Sequence, residues 1–301
     1  MKKLKLQQFT EHCFAFTGAV NIGYCKKDGK GLLVDTGIDE SSIKKVLKII
    51  KQNALPLDYC IITHAHADHF GGAAYLKKNT HIPLYATALE SAIMENPILE
   101  PIYLFNGASP IEELRNKFLE GPKVLVEHDL KIGENTIGPF EMEALDLSGH
   151  SYAQTGLLIE DILYAADGYF GREALNKHVI PFIIDADKTL SSLEKLLHIQ
   201  CKGAVPGHGP FEENFQASVR ENKKVHMENL HSLYQLIGSK ENGETVETLT
   251  KEMLTLHNLE VQTLGQWLLF RTSITAYLAS LQREKRIRFI VRDNEPRVVA
   301  D

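Results

Sequence analysis

His64-Ala65-His66-Ala67-Asp68-His69 places three imidazoles and a carboxylate within six residues, directly after the apolar run Tyr59 to Ile62. Neutral imidazole and ionised carboxylate are the donors that zinc-like divalent ions take, at about 2.0–2.2 Å. In an extended segment alternate side chains share a side, so His64, His66 and Asp68 can converge where a strand opens into a loop. His69 then stands at the mouth of a helix predicted over Phe70 to Lys77, entered through Gly71-Gly72. A core would not hold this cluster, because burying such groups without partners costs several kcal/mol. A catalytic zinc keeps a position open for water, so further ligands are expected elsewhere in the chain.

Three later segments supply them. Glu141 to Leu147 reads as a strand running into Ser148-Gly149-His150-Ser151, and Ile162 to Ala166 is an apolar run ending at Asp167-Gly168. Gly203 to Val205 ends at Pro206-Gly207-His208-Gly209. Each puts one ligand-type side chain at the exit of a short strand, where glycine lets the backbone turn sharply.

Taken in this order, the residues resemble the metal-binding motifs of the metallo-β-lactamase superfamily, in which HxHxDH, a later His, a bridging Asp and a final His hold two metal ions. Matched position by position, the resemblance implies His64, His66 and His150 on the first metal and Asp68, His69 and His208 on the second, with Asp167 bridging. Gly31-Leu32-Leu33-Val34-Asp35-Thr36-Gly37 is similar to the family strand that ends in an Asp-Thr-Gly turn, which makes Asp35 a residue that orients a ligand. The match covers about residues 10 to 215. Asp167 stands where mobile zinc β-lactamases commonly carry Cys, which favours an oxygen-rich dinuclear site over an antibiotic-resistance enzyme. Asp167-Gly168-Tyr169-Phe170-Gly171-Arg172 lacks the Cys of the glyoxalase II segment, which argues against glutathione as carrier.

The implied fold class is α+β, a four-layer αββα sandwich with a small C-terminal helical, winged-helix-like domain. The expected division is 1–215 for the catalytic part and 216–301 for the extension. Local patterns agree: strands over Phe9 to Thr17, Asn21 to Lys26 and Gly31 to Val34, a hairpin turn at Lys27-Asp28-Gly29-Lys30, and a helix from Ser41 to Asn53 capped by Ser41. Residues 90–125 leave the strand pattern at Asn96-Pro97, Glu100-Pro101 and Ser109-Pro110, as a lid of short helices would. Tyr103, Phe105 and Asn106 in that insert, with Tyr169 and His178 after the Asp167 turn, are the expected substrate-pocket residues.

After Phe215 the pattern becomes helical around Ser218 to Ile237, then over Val246 to Thr255 behind Thr245, then over Leu264 to Arg283. A hairpin follows from Arg286 to Val291 and Arg297 to Ala300, around Asn294. This order resembles the winged-helix extension of one group of these hydrolases, some of which act on RNA. Val261 to Asp301 carries seven Lys/Arg against four Asp/Glu. Arg283, Lys285, Arg286 and Arg288 could touch phosphate, although a solvated helix end and wing explains such a run as well.

Length and composition bound the rest. A chain of 301 residues with 44% hydrophobic content can bury a full core, and a net charge of −6 gives no global attraction to nucleic acid. No apolar run reaches the roughly 18–20 residues of a membrane span. The start, Met1-Lys2-Lys3-Leu4-Lys5, lacks the apolar core of a signal peptide, so a cytoplasmic location is expected. Cys13, Cys25, Cys60 and Cys201 form no CxxC pair and read as buried small hydrophobes.

The expected function is metal-dependent hydrolysis of a small ester, thioester or lactone by a metal-bridging hydroxide, with Asp68 both a ligand and a catalytic proton shuttle. Two divalent ions are the expected cofactors, zinc first, with manganese or iron as alternatives. A phosphodiesterase or endoribonuclease acting on RNA and a non-catalytic metal-dependent binding protein are the competing readings. A small molecule is the favoured partner over nucleic acid; no membrane partner is expected, and the C-terminal module is expected either to cover the pocket or to make a homodimer contact.

Overall fold

The computed structural model describes residues 4–301; the basic start, residues 1–3, lies outside the described residues. Seven strands, β1 (Lys5–Gln8), β2 (Cys13–Thr17), β3 (Ile22–Lys27), β4 (Lys30–Val34), β5 (Tyr59–Ile61), β6 (Leu84–Ala86) and β7 (His128–Asp129), lie side by side in chain order. β1 to β4 are antiparallel neighbours and β4 to β7 parallel ones. A second sheet holds β8 (Gly133–Ile137), β9 (Phe140–Asp146), β10 (Thr155–Ile159), β11 (Ile162–Ala166) and β12 (Gly203–Pro206), in spatial order β12-β11-β10-β9-β8. Only β11 and β12 pair in parallel there.

Strand alternation builds the layers. In β4, Leu32 and Val34 join Phe140, Leu157 and Tyr164 in the core between the sheets. Leu33 points the other way, toward Ile43 and Val46 of helix α1 (Glu40–Gln52). In β11, Ile162 and Tyr164 face the inter-sheet core, while Leu163 and Ala165 pack outward on Leu193, Leu196 and Phe215. The result is an α+β, four-layer αββα sandwich, since each sheet has two apolar faces and needs a cover on both.

Helices α2 (Ala67–Phe70), α3 (Ala73–Thr80), α4 (Ala88–Glu95) and α5 (Leu99–Leu104) follow β5 and β6 on the first side. α6 (Arg172–Leu175) and α7 (Ala186–His198) follow β11 on the second. The chain ends in α8 (Phe215–Gly238), α9 (Val246–Leu256), α10 (Leu264–Arg283) and the hairpin β13 (Ile287–Arg292) with β14 (Glu295–Ala300). Leu230, Leu233, Leu249, Met253, Tyr277, Leu281, Ile287 and Val298 give this C-terminal group its own core, which also takes in Ile180 and Ile183.

Several local expectations are corrected. Residues 9–17 are not one strand: the Thr10 hydroxyl accepts from the His12 and Cys13 N–H groups at 3.2 and 2.9 Å, turning the chain between β1 and β2. α1 is capped by Asp39, whose carboxylate accepts the Ser42 N–H at 3.0 Å, and not by Ser41. The helix expected over 70–77 is split into α2 and α3 by Gly71-Gly72. A Cβ at Gly71 would lie 2.0 Å from the Ile38 carbonyl oxygen and one at Gly72 2.5 Å from that of Thr36, so these glycines let the turn after β4 press against the HxHxDH loop. Elsewhere the reading stands: Asp28 and Gly29 both take positive φ in the β3–β4 turn, and Thr245 caps α9. All four cysteines are free, Cys201 half-buried and the others buried. Among the described residues no helix is long and apolar enough to cross a membrane.

Candidate functional site

Five chain turns meet at the ends of strands from both sheets. Asp35 follows β4, the HxHxDH loop follows β5, His150 lies between β9 and β10, Asp167 follows β11 and His208 follows β12. Their ligand-type atoms converge in three overlapping groups, His64/His66/His150, His64/His69/Asp167 and Asp68/His69/His208, each with donor atoms within 4.8 Å of one another. All seven side chains proposed from sequence therefore come together, through contacts spanning up to 140 positions of chain, the separation of Asp68 from His208.

The ring orientations are fixed from behind. Asp35, in the left-handed region at φ 67°, accepts the His69 Nδ1–H at 2.8 Å and the Thr63 N–H at 2.8 Å. His150 Nδ1 donates to the Phe182 carbonyl at 2.9 Å and His208 Nδ1 to the Ala19 carbonyl at 3.2 Å. Each of these bonds engages Nδ1 and leaves Nε2 facing inward, the atom that a metal-binding imidazole offers once it has lost its proton. The structure thus brings Asp35, read from the sequence beside the candidate ligands, into hydrogen-bond contact with His69.

The inward atoms make no hydrogen bonds. His64 Nε2 is buried without one, and His69 Nε2 and Asp167 Oδ1, likewise without one, face each other at 3.3 Å, an arrangement that a cation would complete. His66 Nδ1 and His150 Nε2 face each other at 2.9 Å, and Asp167 Oδ2 lies 3.4 Å from His150 Nε2 and 3.5 Å from His208 Nε2. Gly207 preserves the space: a Cβ there would lie 2.1 Å from Asp167 Oδ1. Orphaned donor atoms of the right chemistry around a protected gap fit divalent cations.

The electrostatics divide the histidines. Burial, reinforced by neighbouring rings, holds His64 well below the ordinary imidazole range and brings His66 and His150 down to about 4. These three are neutral at pH 7 and ready to donate lone pairs. Burial also opposes charge on His69 and His208, but Asp167 and Asp68 outweigh it, holding His69 well above its usual value and His208 at about 10. For the carboxylates, burial favours the neutral acid, yet the His69 and His208 charges bring Asp68 down to about 2 and Asp167 well below its ordinary value. The carboxylate side of the site draws positive charge to itself.

The family model of the metallo-beta-lactamase superfamily matches residues 15–208. The chain belongs to that superfamily. A beta-lactamase domain protein from Burkholderia ambifaria superposes with a TM-score of 0.77 at 16% identity, covering 99% of this chain and 94% of that one. A metallo-beta-lactamase family protein from Thermus thermophilus does so at 0.72 and 16% identity, over 99% and 98%. The probable metallo-hydrolase YqgX of Bacillus subtilis is 26% identical over 141 residues, 47% of this chain and 61% of its own length. The exodeoxyribonuclease WalJ of Streptococcus pneumoniae is 36% identical over 76 residues, 25% of this chain and 28% of its own. The chain spans about half to three-fifths of the length of the first curated relatives it matches.

Beside the superfamily's ligand cluster opens a cavity of about 280 Å³. His66 and Ser151 form its inner end, Tyr103 and Asn106 come from the insert, and Arg271 and Thr275 from α10. Phe105, also expected there, instead packs toward Leu104, Leu114 and Leu268. Tyr169 is buried on the far side of Asp167 against Phe215, ring centroids 6.2 Å apart. His178 lies against Phe170 at 5.9 Å and is lowered by burial and by the nearby His208 charge, but does not line the cavity. A larger groove of about 1200 Å³ runs beside Tyr75, Arg115 and Lys117, and none of the seven clustered side chains lines it.

Sequence reasoning missed Glu90. This α4 side chain is fully buried and accepts from the Ala65 N–H at 2.8 Å, the Ser151 hydroxyl at 2.5 Å and the Ala153 N–H at 2.7 Å. It ties the loop of His64 and His66 to the loop of His150. A lone Glu in Ala88-Leu89-Glu90 carries no spacing signal. Phe182 and the α10 residues of the cavity were equally silent, since only tertiary packing brings them to it.

Proposed function

We propose that the chain is a dinuclear metal-dependent hydrolase of small ester, thioester or lactone substrates. The observation that carries this is the convergence of seven ligand-type side chains, with the inward atoms of His64, His69 and Asp167 buried and not hydrogen-bonded, beside a small cavity lined by His66. His64, His66 and His150 would hold one cation and Asp68, His69 and His208 the other, with Asp167 shared. Divalent cations held there supply Lewis acidity and lower the pKa of water toward about 7. Zinc suits the nitrogen-rich donors, with manganese or iron as alternatives.

The protein's own part is orientation and proton handling. Asp35, Phe182 and Ala19 hold the His69, His150 and His208 rings against rotation, and Glu90 locks the two loops that carry four of the five imidazoles. Asp68 is partly open to solvent and lies 3.2 Å from His208 Nε2, which puts its carboxylate between the site and bulk water as the candidate for relaying a proton outward.

The extension, residues 216–301, is a winged-helix-like module in this reading, and its α10 completes the cavity wall. The basic residues of that module favour a small molecule over RNA, because most are already engaged. Arg283 pairs with Asp185 and Asp187, Arg288 with Asp301, and Arg286 lies 3.9 Å over the Tyr234 ring. The segment shared with an exodeoxyribonuclease supports phosphodiester cleavage as the second reading. Protein loaded with Zn, Mn or Fe and offered thioesters, lactones, phenyl esters, bis-phosphodiesters and single-stranded RNA separates the two. Turnover confined to the phosphodiesters would overturn the first.

A further inference from the structure

The cavity beside His66 is lined by a carboxyl that no cation among the described residues answers. Glu100 lines it, and its carboxyl makes no hydrogen bond or ion pair among the described residues. The one ionic group felt strongly by Glu100 is another carboxylate, Glu90, whose own oxygens are engaged by Ala65, Ser151 and Ala153. The full cation on the wall, Arg271, donates to Asn106 at 2.5 Å and to Glu247 at 3.3 Å. His66 is held neutral by burial. The Tyr103 and Tyr152 rings meet edge to face at 5.8 Å on the same wall.

We propose that this cavity is a subsite for an alkylammonium group of the substrate, with Glu100 as its counter-ion and Tyr103 and Tyr152 as its aromatic walls. A partly desolvated carboxylate beside aromatic rings is the setting in which an ammonium is bound through charge and cation–π attraction together. Burial, followed by the Glu90 charge, raises Glu100 to about 7, which is the expected state of a carboxyl waiting for a cation. A volume of about 280 Å³ accommodates a short chain ending in a primary or secondary amine, its carbonyl at the His66 end. The claim about which bond is cut rests on the hydrolase reading; the claim about binding does not.

The test has a binding arm and a turnover arm. In the first, n-butylammonium, n-butanol and butanoate are titrated onto the full chain and followed by ligand-observed NMR. Butylammonium is expected to bind at least about tenfold tighter than either other probe, and Glu100→Gln to remove that preference. Equal or tighter binding of butanol or butanoate overturns the subsite, as does an unchanged preference in a Glu100→Gln protein with a wild-type thermal midpoint. Tyr152→Leu, at a largely exposed position, gives a second variant and should weaken butylammonium binding severalfold. In the second arm, metal-loaded protein is given 6-aminohexanoyl and heptanoyl thioesters. A kcat/KM ratio of about ten or more for the amine, falling toward one in Glu100→Gln, is expected. Amine binding without thioester cleavage would sustain the subsite and sink the hydrolase reading; cleavage without amine preference would do the reverse.

Discussion

Glu90 accepts the Ser151 hydroxyl at 2.5 Å, so a carboxylate from α4 fixes the residue next to His150 while its other oxygen holds the loop of His64 and His66. The two halves of the ligand set come from different sheets, and this buried side chain sets their separation. Burial raises the Glu90 pKa, and the three donors it binds oppose that rise. Its role is therefore mechanical as much as electrostatic.

Replacing Glu90 by Ala leaves three donors without their acceptor. Each buried orphan costs roughly 1–3 kcal/mol, so a loss of at least about 3 kcal/mol in stability is expected, read from denaturant midpoints. Metal affinity should fall about tenfold as the His150 loop loosens, read by isothermal titration. A variant as stable as wild type, with unaltered metal affinity, would remove the clamp.

Asp35→Asn tests the support behind His69. The amide can still accept from Thr63 but no longer sets the His69 ring with a charged acceptor, so metal affinity is expected to drop about 10- to 100-fold with a small change in thermal midpoint. An unchanged dissociation constant would show that the ring is held by packing alone.

Gly207→Ala introduces a Cβ 2.1 Å from Asp167 Oδ1, inside contact distance of the carboxylate proposed to be shared. The expected result is a folded protein, less stable by about 1–3 kcal/mol, that loses metal and activity together. Elemental analysis and circular dichroism check it. Full metal content would show that Asp167 has room to move.

Much of this centre was legible because its signal is local. HxHxDH concentrates four ligands in one loop, and each later ligand closes a short apolar run, so residue type and position coincide. The C-terminal helix α10 was also legible, expected over Leu264 to Arg283 and found at those bounds. What stayed hidden depends on long-range packing. α7 was not foreseen although Asp185 caps it, since the preceding Pro181 to Ile184 run gave no boundary. Tyr169 and Phe105 look like pocket aromatics in a linear reading, yet strand pairing and the α5–α10 contact turn both into packed side chains.

His226 supplies a pH test outside the proposed ligand set, with His150 adding a smaller lowering to that of burial. It is buried in α8 with Nδ1 2.8 Å from the Tyr277 hydroxyl, and burial brings it to about 4 from an ordinary value of 6.5. The unfolded chain therefore binds the proton first as pH falls. Stability is complete above about 6.5 and is lost progressively down to about 4, by about 3 kcal/mol from this group. His226→Gln should flatten the acid limb of the stability profile by that amount, compared by urea unfolding from pH 7 to 4. Parallel profiles would contradict it.

The count of metal ions per chain bears most directly on the proposed centre. Protein purified without chelator, reconstituted separately with zinc and manganese, passed through a desalting column and quantified by elemental analysis is expected to retain two ions per chain. Asp167→Ala should retain at most one while still folding. A folded wild-type protein that holds one ion or fewer after both reconstitutions would contradict the dinuclear site.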